Sequence, residues 1–572
     1  MENVKRNILK IRALRDSHKL LFSAVFVFAL LLLTWLLVPI IFETNDDAFL
    51  MGCVSGGRTG KPEANTIFSL FLWGRMASAL YMIHAGIPWY TLSFLILIDL
   101  SLTAVCYCCV TAFPKWGGSM FCLLYFGMFI YYSVIIQFTL VSAYCGIAAI
   151  SLMLIEKKEE CSRKDIVIKN ILIFFFMFFS VNIRSKVGYL VLGSAAAAVC
   201  FEVLRYFLKA SDRQKVKKMA LSFLVICSTV IISVGIHKIH EALDDWGEFR
   251  EYHAERANFT DYSKLDYESN KELFDEIGWS EKFYVLAKGW FFMDERISTE
   301  SFRKINERNV HEPIDVGFWY LHDNFPKIEL QIKVWVVLLL FLLADALWHR
   351  KGGYGRNIVS FLWLFVWLAE TLYFAHGGRM MERVVEAWTL LAVIPSILGM
   401  AGNGLETDRE RKESVAVSAV VSVLALMLCV KCVRSPYGGL GAAGSFSHGR
   451  SGARTTQANG EDYAMAHPEN LYIYEPSLSK GGGPWRVYPK SKPYNLISWG
   501  GSYYNSPLYY EQLRQNGFEH IYEEDFFREN VYFMAGKEPN EKLIDLMEEK
   551  FPGCTYEITD EGEGFIVYKF YE

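Results

Sequence analysis

Apolar residues in this chain come in blocks of about twenty instead of alternating or recurring at helical period. The first, Leu20–Phe42, follows a basic N-terminal stretch; ten more cover 90–112, 117–135, 138–155, 166–182, 187–207, 219–236, 331–348, 358–375, 384–400 and 414–433. Each can cross the roughly 30 Å hydrocarbon layer as a helix. The pattern therefore predicts a polytopic α-helical membrane protein with about eleven transmembrane helices. The first block exceeds a signal-peptide core and no small-residue cleavage site follows it, so it reads as an uncleaved helix. Residues 65–86 are apolar enough for a further crossing but carry Arg75 and His84. A crossing there would put several basic loops outside, so an amphipathic helix or hairpin in the outer interface is expected.

Beyond residue 433 the period changes. Residues 434–460 are rich in Gly, Ser and Ala and read as a flexible linker. Strand-like runs at Leu471–Tyr474, Val531–Met534, Thr555–Ile558 and Phe565–Phe570 then alternate with helical patterns at Pro507–Asn516 and Asn540–Phe551. The expected organisation is a transmembrane domain over 1–433 with outer loops 43–88 and 237–330, the linker 434–460, and a small C-terminal extracytoplasmic α/β domain over 461–572.

Composition agrees. Of 572 residues 52% are hydrophobic and 21% charged, with a mean hydropathy of +0.19, which argues against disorder and against an ordinary soluble enzyme. A formal net charge of −4 gives no reason to expect nucleic-acid binding. Most of the twelve cysteines fall inside apolar blocks; Cys53 and Cys554 lie in polar segments without metal-ligand spacing. Lys and Arg gather in the N-terminus and in 156–165, 209–219, 349–357 and 406–413. Those connections are expected in the cytoplasm, making this a multi-pass plasma-membrane protein with a cytoplasmic N-terminus and an extracytoplasmic C-terminal domain. No Walker, HExxH, GxSxG or paired CxxC pattern occurs, which disfavours ATP-driven transport and zinc proteolysis.

The most informative stretch follows the first block: Glu43-Thr-Asn-Asp46-Asp47 places three carboxylates where the chain leaves the bilayer. Such a position suits a base or a metal ligand acting on a lipid-anchored substrate. It also suits a solvated exit in which Asn45 and the aspartates cap a following helix. The turn Ser55-Gly-Gly-Arg58-Thr-Gly60, Gly-rich with one cation, favours the first reading, because a lipid phosphate needs acids and donors at one interface.

These features resemble the GT-C glycosyltransferases, a superfamily that includes protein O-mannosyltransferases, aminoarabinose transferases and oligosaccharyltransferases. The likeness is to uncharacterised multi-pass bacterial proteins of that type. It covers most of the chain and rests on the Asn45-Asp46-Asp47 segment, Leu80-Tyr81 with Pro88-Trp89-Tyr90, Gln137-Phe138-Thr139, Gly378-Arg379 with Arg383-Val384, and Trp499-Gly-Gly with Ser506-Pro507. The resemblance implies a polyprenyl-phosphate-linked sugar donor, a cell-envelope glycan or lipid acceptor, and membrane lipid as a partner. It implies that Asp46 or Asp47 is the base, with Asp46 slightly favoured. A divalent cation (Mg or Mn), if one is used, would sit on Asp46 and Asp47.

Four arginines are candidates for holding the donor phosphate: Arg58, Arg184, Arg379 and Arg383. Arg379 and Arg383 are four apart and would share a helix face, where a guanidinium can grip phosphate with two hydrogen bonds; snorkelling, or pairing with Glu382 and Glu386, is the alternative. A substrate groove would draw on Glu43, Tyr81, Trp89, Arg256 and Asp294. In loop 237–330, Trp246, Phe249, His253 and Arg256 recur at helical spacing before Asp261-Tyr262, which suits either a helix walling a groove or packing against the C-terminal domain. Asp294-Glu295 follows Trp290-Phe291-Phe292 and could bring another carboxylate.

The reading is an integral-membrane glycosyltransferase working at the outer face of a bacterial plasma membrane. A transporter or flippase for lipid-linked glycans would need ionisable residues lining a path; Asp99, Glu202, Asp345 and Glu370 are the main ones within the blocks, mostly near their ends. A lipid-glycan polymerase would share the same site. A non-catalytic anchor for the outer domain would need one crossing.

Overall fold

The computed structural model describes residues 17–114, 116–155, 162–209, 211–263, 265–308, 318–348, 354–377, 380–400, 460–475, 483–488 and 494–572, plus isolated positions between 423 and 478. The main helices are α1 (Lys19–Leu37), α2 (Asn45–Ser55), α3 (Phe71–Ile83), α4 (Trp89–Ala112), α5 (Gly117–Leu124), α6 (Phe138–Leu154), α7 (Arg163–Ile183), α8 (Ser185–Phe207), α9 (Arg213–Glu241), α10 (Gly247–Ala257), α11 (Glu281–Lys288), α12 (Thr299–Arg308), α13 (Phe318–Trp348), α14 (Tyr354–His376), α15 (Glu382–Gly399), α16 (Pro507–Gln515) and α17 (Glu541–Lys550). Two short strands, β1 (Ile41–Phe42) and β2 (Ile135–Ile136), precede α2 and α6; β3 (Leu471–Tyr474), β4 (Leu496–Ser498), β5 (Val531–Ala535), β6 (Thr555–Gly562) and β7 (Phe565–Tyr571) form a C-terminal sheet.

Six helices among the described residues are long and apolar enough to cross a membrane: α1, α4, α7, α8, α9 and the Val359–His376 part of α14. Their outward faces carry exposed Leu20, Leu36, Ile171, Ile231 and Ile239, a surface for acyl chains and not for water. The expected count of eleven is not confirmed among the described residues. The 138–155 block is an apolar helix of 17 residues, α13 and α15 coincide with 331–348 and 384–400 without joining the set, and 414–433 lies almost wholly outside the described residues. So do most of linker 434–460 and the first 16 residues.

The 117–135 block is broken. α5 passes through a π-helical turn at Tyr125–Phe129 and the chain then extends into β2. Polar bonds to α1 hold this break: Thr34 Oγ1 and Tyr125 Oη lie 2.7 Å apart, and Trp35 Nε1 donates to the Ser133 carbonyl at 2.9 Å. The 65–86 segment contributes α3, whose 13 residues reach about 20 Å and cannot span the bilayer.

α6 is the axis of the bundle. Every residue from Phe138 to Met153 is buried, and the helix packs on α4, α7 and α15. Gly146 is required there, because a Cβ would stand 2.1 Å from Val191 Cγ2 of α8.

The sheet runs β4-β3-β5-β7-β6, with β4, β3 and β5 parallel and β7 antiparallel to both β5 and β6. Ile473 and Phe533 of the sheet and Leu546 of α17 belong to one cluster with Trp246, Phe283 and Phe302 of the 237–330 loop. Trp246 and Phe249 pack on Tyr503 at ring distances of 6.3 and 6.2 Å, the packing role among the two expected for that stripe. α2 lies between the halves. Its Leu50, Met51 and Val54 join the core of the bundle, while Phe49 and Cys53 join that of the C-terminal region.

Candidate active site

Parallel pairing of Ile41–Phe42 with Ile135–Ile136 sets two helix starts side by side, α2 at Asn45 and α6 at Phe138. The first-turn amides of α6 need acceptors. Gln137 Oε1 takes the Thr139 amide at 2.6 Å, and Asp47 Oδ1 takes the Phe138 amide at 3.1 Å. The Tyr90 hydroxyl donates to the same Asp47 oxygen at 3.1 Å. Asp47 is fully buried; burial, with Asp46 next to it, pushes its carboxyl well above the usual range.

Asp46 points the other way. Half-buried, it lines a cavity of ≈ 270 Å³ together with Asn45, Phe49 and Leu50 of α2, Phe68, Trp290, and the C-terminal residues Tyr474 and Ser498–Tyr503. Burial raises the Asp46 carboxyl above its ordinary range, while the guanidinium groups of Arg383 and Arg184 pull it part of the way back and Asp261 adds to the rise. Arg383 opens α15 and stands 3.8 Å from Glu43. Arg184 lies at the α7–α8 junction, its Nη1 on the Phe68 carbonyl at 3.4 Å and its guanidinium 5.2 Å from the Phe68 and Phe138 rings. Thus Asp46, Glu43, Arg184 and Arg383, far apart in sequence, meet at one end of the bundle.

The opposite wall comes from the sheet. Tyr474 ends β3 and Ser498 ends β4, so the cavity sits beyond the carboxyl ends of parallel strands, where the chain goes from β3 to β4 on one side and on to β5 on the other. That crevice is where open α/β sheets receive ligands. Gly500 lets the wall close: a Cβ there would lie 1.8 Å from the Trp290 carbonyl oxygen. Gly501 has φ 105, which other residues rarely adopt. Sequence reasoning noted Trp499-Gly-Gly and Trp290 without placing them here; no sequence signal names Tyr474, Ser498 or Phe68.

The remaining candidates lie elsewhere. Arg58 borders a separate cavity of ≈ 20 Å³ that shares Phe49, Ser498, Gly500 and Tyr503 with the larger one; its guanidinium lies 4.1 Å from the Phe49 ring centre. The Gly-rich turn is a helix end. Gly56 caps α2 with φ 80, and Gly57 leaves room for Tyr488, whose ring a Cβ would meet at 2.5 Å. Tyr81 is buried and its oxygen accepts the Tyr90 amide at 3.1 Å, while Trp89 Nε1 donates to the His84 carbonyl at 2.9 Å. Both therefore brace the α3–α4 corner instead of lining a groove. Asp294 is likewise no part of the cavity wall. It is paired with Arg296, whose hydrogen bonds hold it ionised against the opposing effect of burial, beside Glu523 and Lys550. Arg256 is buried behind Trp290, its guanidinium 4.6 Å from the ring centre, with Nη2 3.2 Å from His253 Nδ1. Burial and Arg256 push His253 down to about 4, so at neutral pH its imidazole is uncharged. Arg379 falls outside the described residues.

Among the described residues no group of three or more His, Cys, Asp or Glu side chains is placed to hold one ion. Asp47 commits Oδ1 to the Phe138 amide and the Tyr90 hydroxyl, and its Oδ2 is buried without a hydrogen-bond partner.

No family model matches the chain, and no curated protein does. Among solved structures it is similar to ArnT from Cupriavidus metallidurans bound to undecaprenyl phosphate, at 12% identity over 95% of this chain and 97% of that one, TM-score 0.46. It is also similar to the archaeal oligosaccharyltransferase AglB from Archaeoglobus fulgidus in complex with an inhibitory peptide and a dolichol-phosphate, at 12% identity over 97% and 74%, TM-score 0.41. Both of these structural neighbours are GT-C superfamily glycosyltransferases.

Proposed function

We propose that this chain is an integral-membrane glycosyltransferase that moves a sugar from a polyprenyl-phosphate-linked donor to a cell-envelope acceptor at the outer face of the membrane. The observation that carries the reading is Asp46: a carboxylate made more basic by burial, on the wall of a sugar-sized cavity, acted on by two arginines from distant helices. Ligand pockets run from roughly 300 Å³ upward, so ≈ 270 Å³ suits one sugar residue better than an oligosaccharide. Aromatic walls with a few polar groups are the usual lining for such a ligand.

In this mechanism Asp46 accepts the proton of an acceptor hydroxyl, whose oxygen forms the new bond to the anomeric carbon. The bond from that carbon to the phosphate oxygen breaks, and the electron pair stays on the phosphate. A phosphate leaves without protonation, so the site needs one base and cations near the leaving oxygen. Arg184 and Arg383 supply the cations, and Asp47 keeps α2 and α6 in register. We assign the cavity end to the outside because the basic connections 156–165 and 209–219 belong to the other ends of α6–α9.

Reconstituted vesicles carrying a radiolabelled mixture of polyprenyl-phosphate sugars test this. Transfer predicts release of polyprenyl phosphate with label passing to an acceptor. Movement of intact donor across the bilayer, with the sugar–phosphate bond unbroken, would replace the transferase by a flippase.

A further inference from the structure

Trp290 stands apart in its backbone. Its φ of 69 is in the left-handed region, which a bulky residue enters only when its surroundings force it. Three contacts hold it there. The indole lies over the Arg256 guanidinium at 4.6 Å, the Trp290 carbonyl fills the space that a Gly500 side chain would need, and Phe292, two residues on, donates its amide to the Trp499 carbonyl at 2.9 Å.

Arg256 is itself unusual. It is 2% exposed, its Nη1 donates to Thr260 at 3.2 Å, its Nε has no hydrogen-bond partner, and no carboxylate among the described residues comes within ion-pair distance. Burying a charge without a direct ion pair is costly; burial works against the Arg256 charge, and the Asp261 carboxylate supports it only from beyond ion-pair distance. What it touches is the ring of a partly exposed tryptophan in the cavity wall and His253, whose Nδ1 also lies 3.3 Å from the carbonyl of Ser502, another wall residue. A strained backbone and a buried cation with no direct ion pair thus converge on the placement of one indole.

We propose that Trp290 is the platform on which a pyranose ring is held opposite Asp46, with Arg256 as the positioning residue that fixes the indole. This rests on the glycosyl-transfer reading and adds the residue that grips the sugar. Apolar C–H faces of a pyranose lie against an indole, and polar groups at the rim of the cavity (Asn45, Ser498, Ser502) take the hydroxyls.

Saturation-transfer NMR on the full-length protein in detergent tests it, with methyl α- and β-pyranosides of glucose, galactose and mannose as one set of probes and undecaprenyl phosphate as another. The wild type should transfer saturation to ring protons of at least one glycoside. Trp290→Phe should keep that binding and Trp290→Ala should weaken it about tenfold or more, while undecaprenyl phosphate still binds, which shows that the protein is folded. Arg256→Met should weaken glycoside binding several-fold, and Arg256→Lys should restore most of it. Glycoside binding by Trp290→Ala at the wild-type level, or a wild type that binds undecaprenyl phosphate and no glycoside, overturns the platform and leaves the transfer reading standing. A wild type that binds neither probe overturns both.

Discussion

Asp47 accepts the backbone amide of Phe138 at 3.1 Å, tying the acidic segment after the first crossing to the start of the most buried helix in the bundle. One of two adjacent aspartates is thereby committed to holding helices together, while its neighbour Asp46 faces the cavity.

The two aspartates should therefore respond differently to substitution. Asp47 holds Tyr90 and Phe138 through one acceptor oxygen, and burial opposes its charge, so Asp47→Asn keeps the acceptor and removes a buried ionisable group. The expected outcome is a correctly inserted protein with melting temperature close to wild type. Asp47→Ala leaves the Phe138 amide and the Tyr90 hydroxyl buried without an acceptor and should cost about 3 kcal/mol, read as a lower midpoint in thermal unfolding in detergent.

Asp47 also makes stability depend on pH. Its folded pKa lies above the unfolded value of 3.8, so the folded state holds more protons in between, and its contribution is greatest below the unfolded value and is lost as pH rises through the folded one. Asp47→Asn should flatten the fall in melting temperature from about pH 4 upward.

Arg383 should set the acid limb of the transfer rate. Asp46 acts as a base only when ionised, so activity should rise with pH through a pKa above 3.8. Arg383 pulls that pKa down, so Arg383→Gln should move the limb to higher pH as well as weakening donor binding. A limb that stays in place would separate Arg383 from the base.

Two glycines give opposite packing outcomes. Gly500→Ala drives a methyl into the Trp290 carbonyl and should cost about 1–3 kcal/mol together with most of the activity. Gly118 in α5 has nothing within 4 Å of a Cβ, so Gly118→Ala should be neutral or stabilise by about 0.5–1 kcal/mol. Thermal unfolding of the two variants side by side reads the difference.

Much of this architecture was legible in the sequence, for a physical reason. A helix in lipid must be apolar along its length, and a strand on a helix-covered sheet must be apolar and β-branched or aromatic, so α1, α4, α7–α9 and β3, β5 and β7 announce themselves. The break after α5 did not, because the run through Ile136 stays apolar whether the chain is helical or extended. β4, only 3 residues long, gives no period to read. In the site, the acidic segment and Arg184 and Arg383 were visible as polar groups at block ends. Which aspartate faces the cavity depends on which side of α2 meets the bundle. In retrospect Asp47, Leu50, Met51 and Val54 form one helical stripe and Asp46, Phe49 and Cys53 another, but only the fold says which stripe is which. The walls formed by Tyr474, Ser498 and Phe68 arise from strand ends and a loop that meet through topology alone.

The central claim is that Asp46, and not Asp47, is the base. Its most direct test is the rate of sugar transfer by purified, reconstituted Asp46→Asn and Asp47→Asn proteins, assayed together with the same polyprenyl-phosphate donor. The account predicts at least a hundredfold loss for Asp46→Asn and a rate within about tenfold of wild type for Asp47→Asn. Wild-type transfer by Asp46→Asn, or loss confined to a well-folded Asp47→Asn, would contradict it.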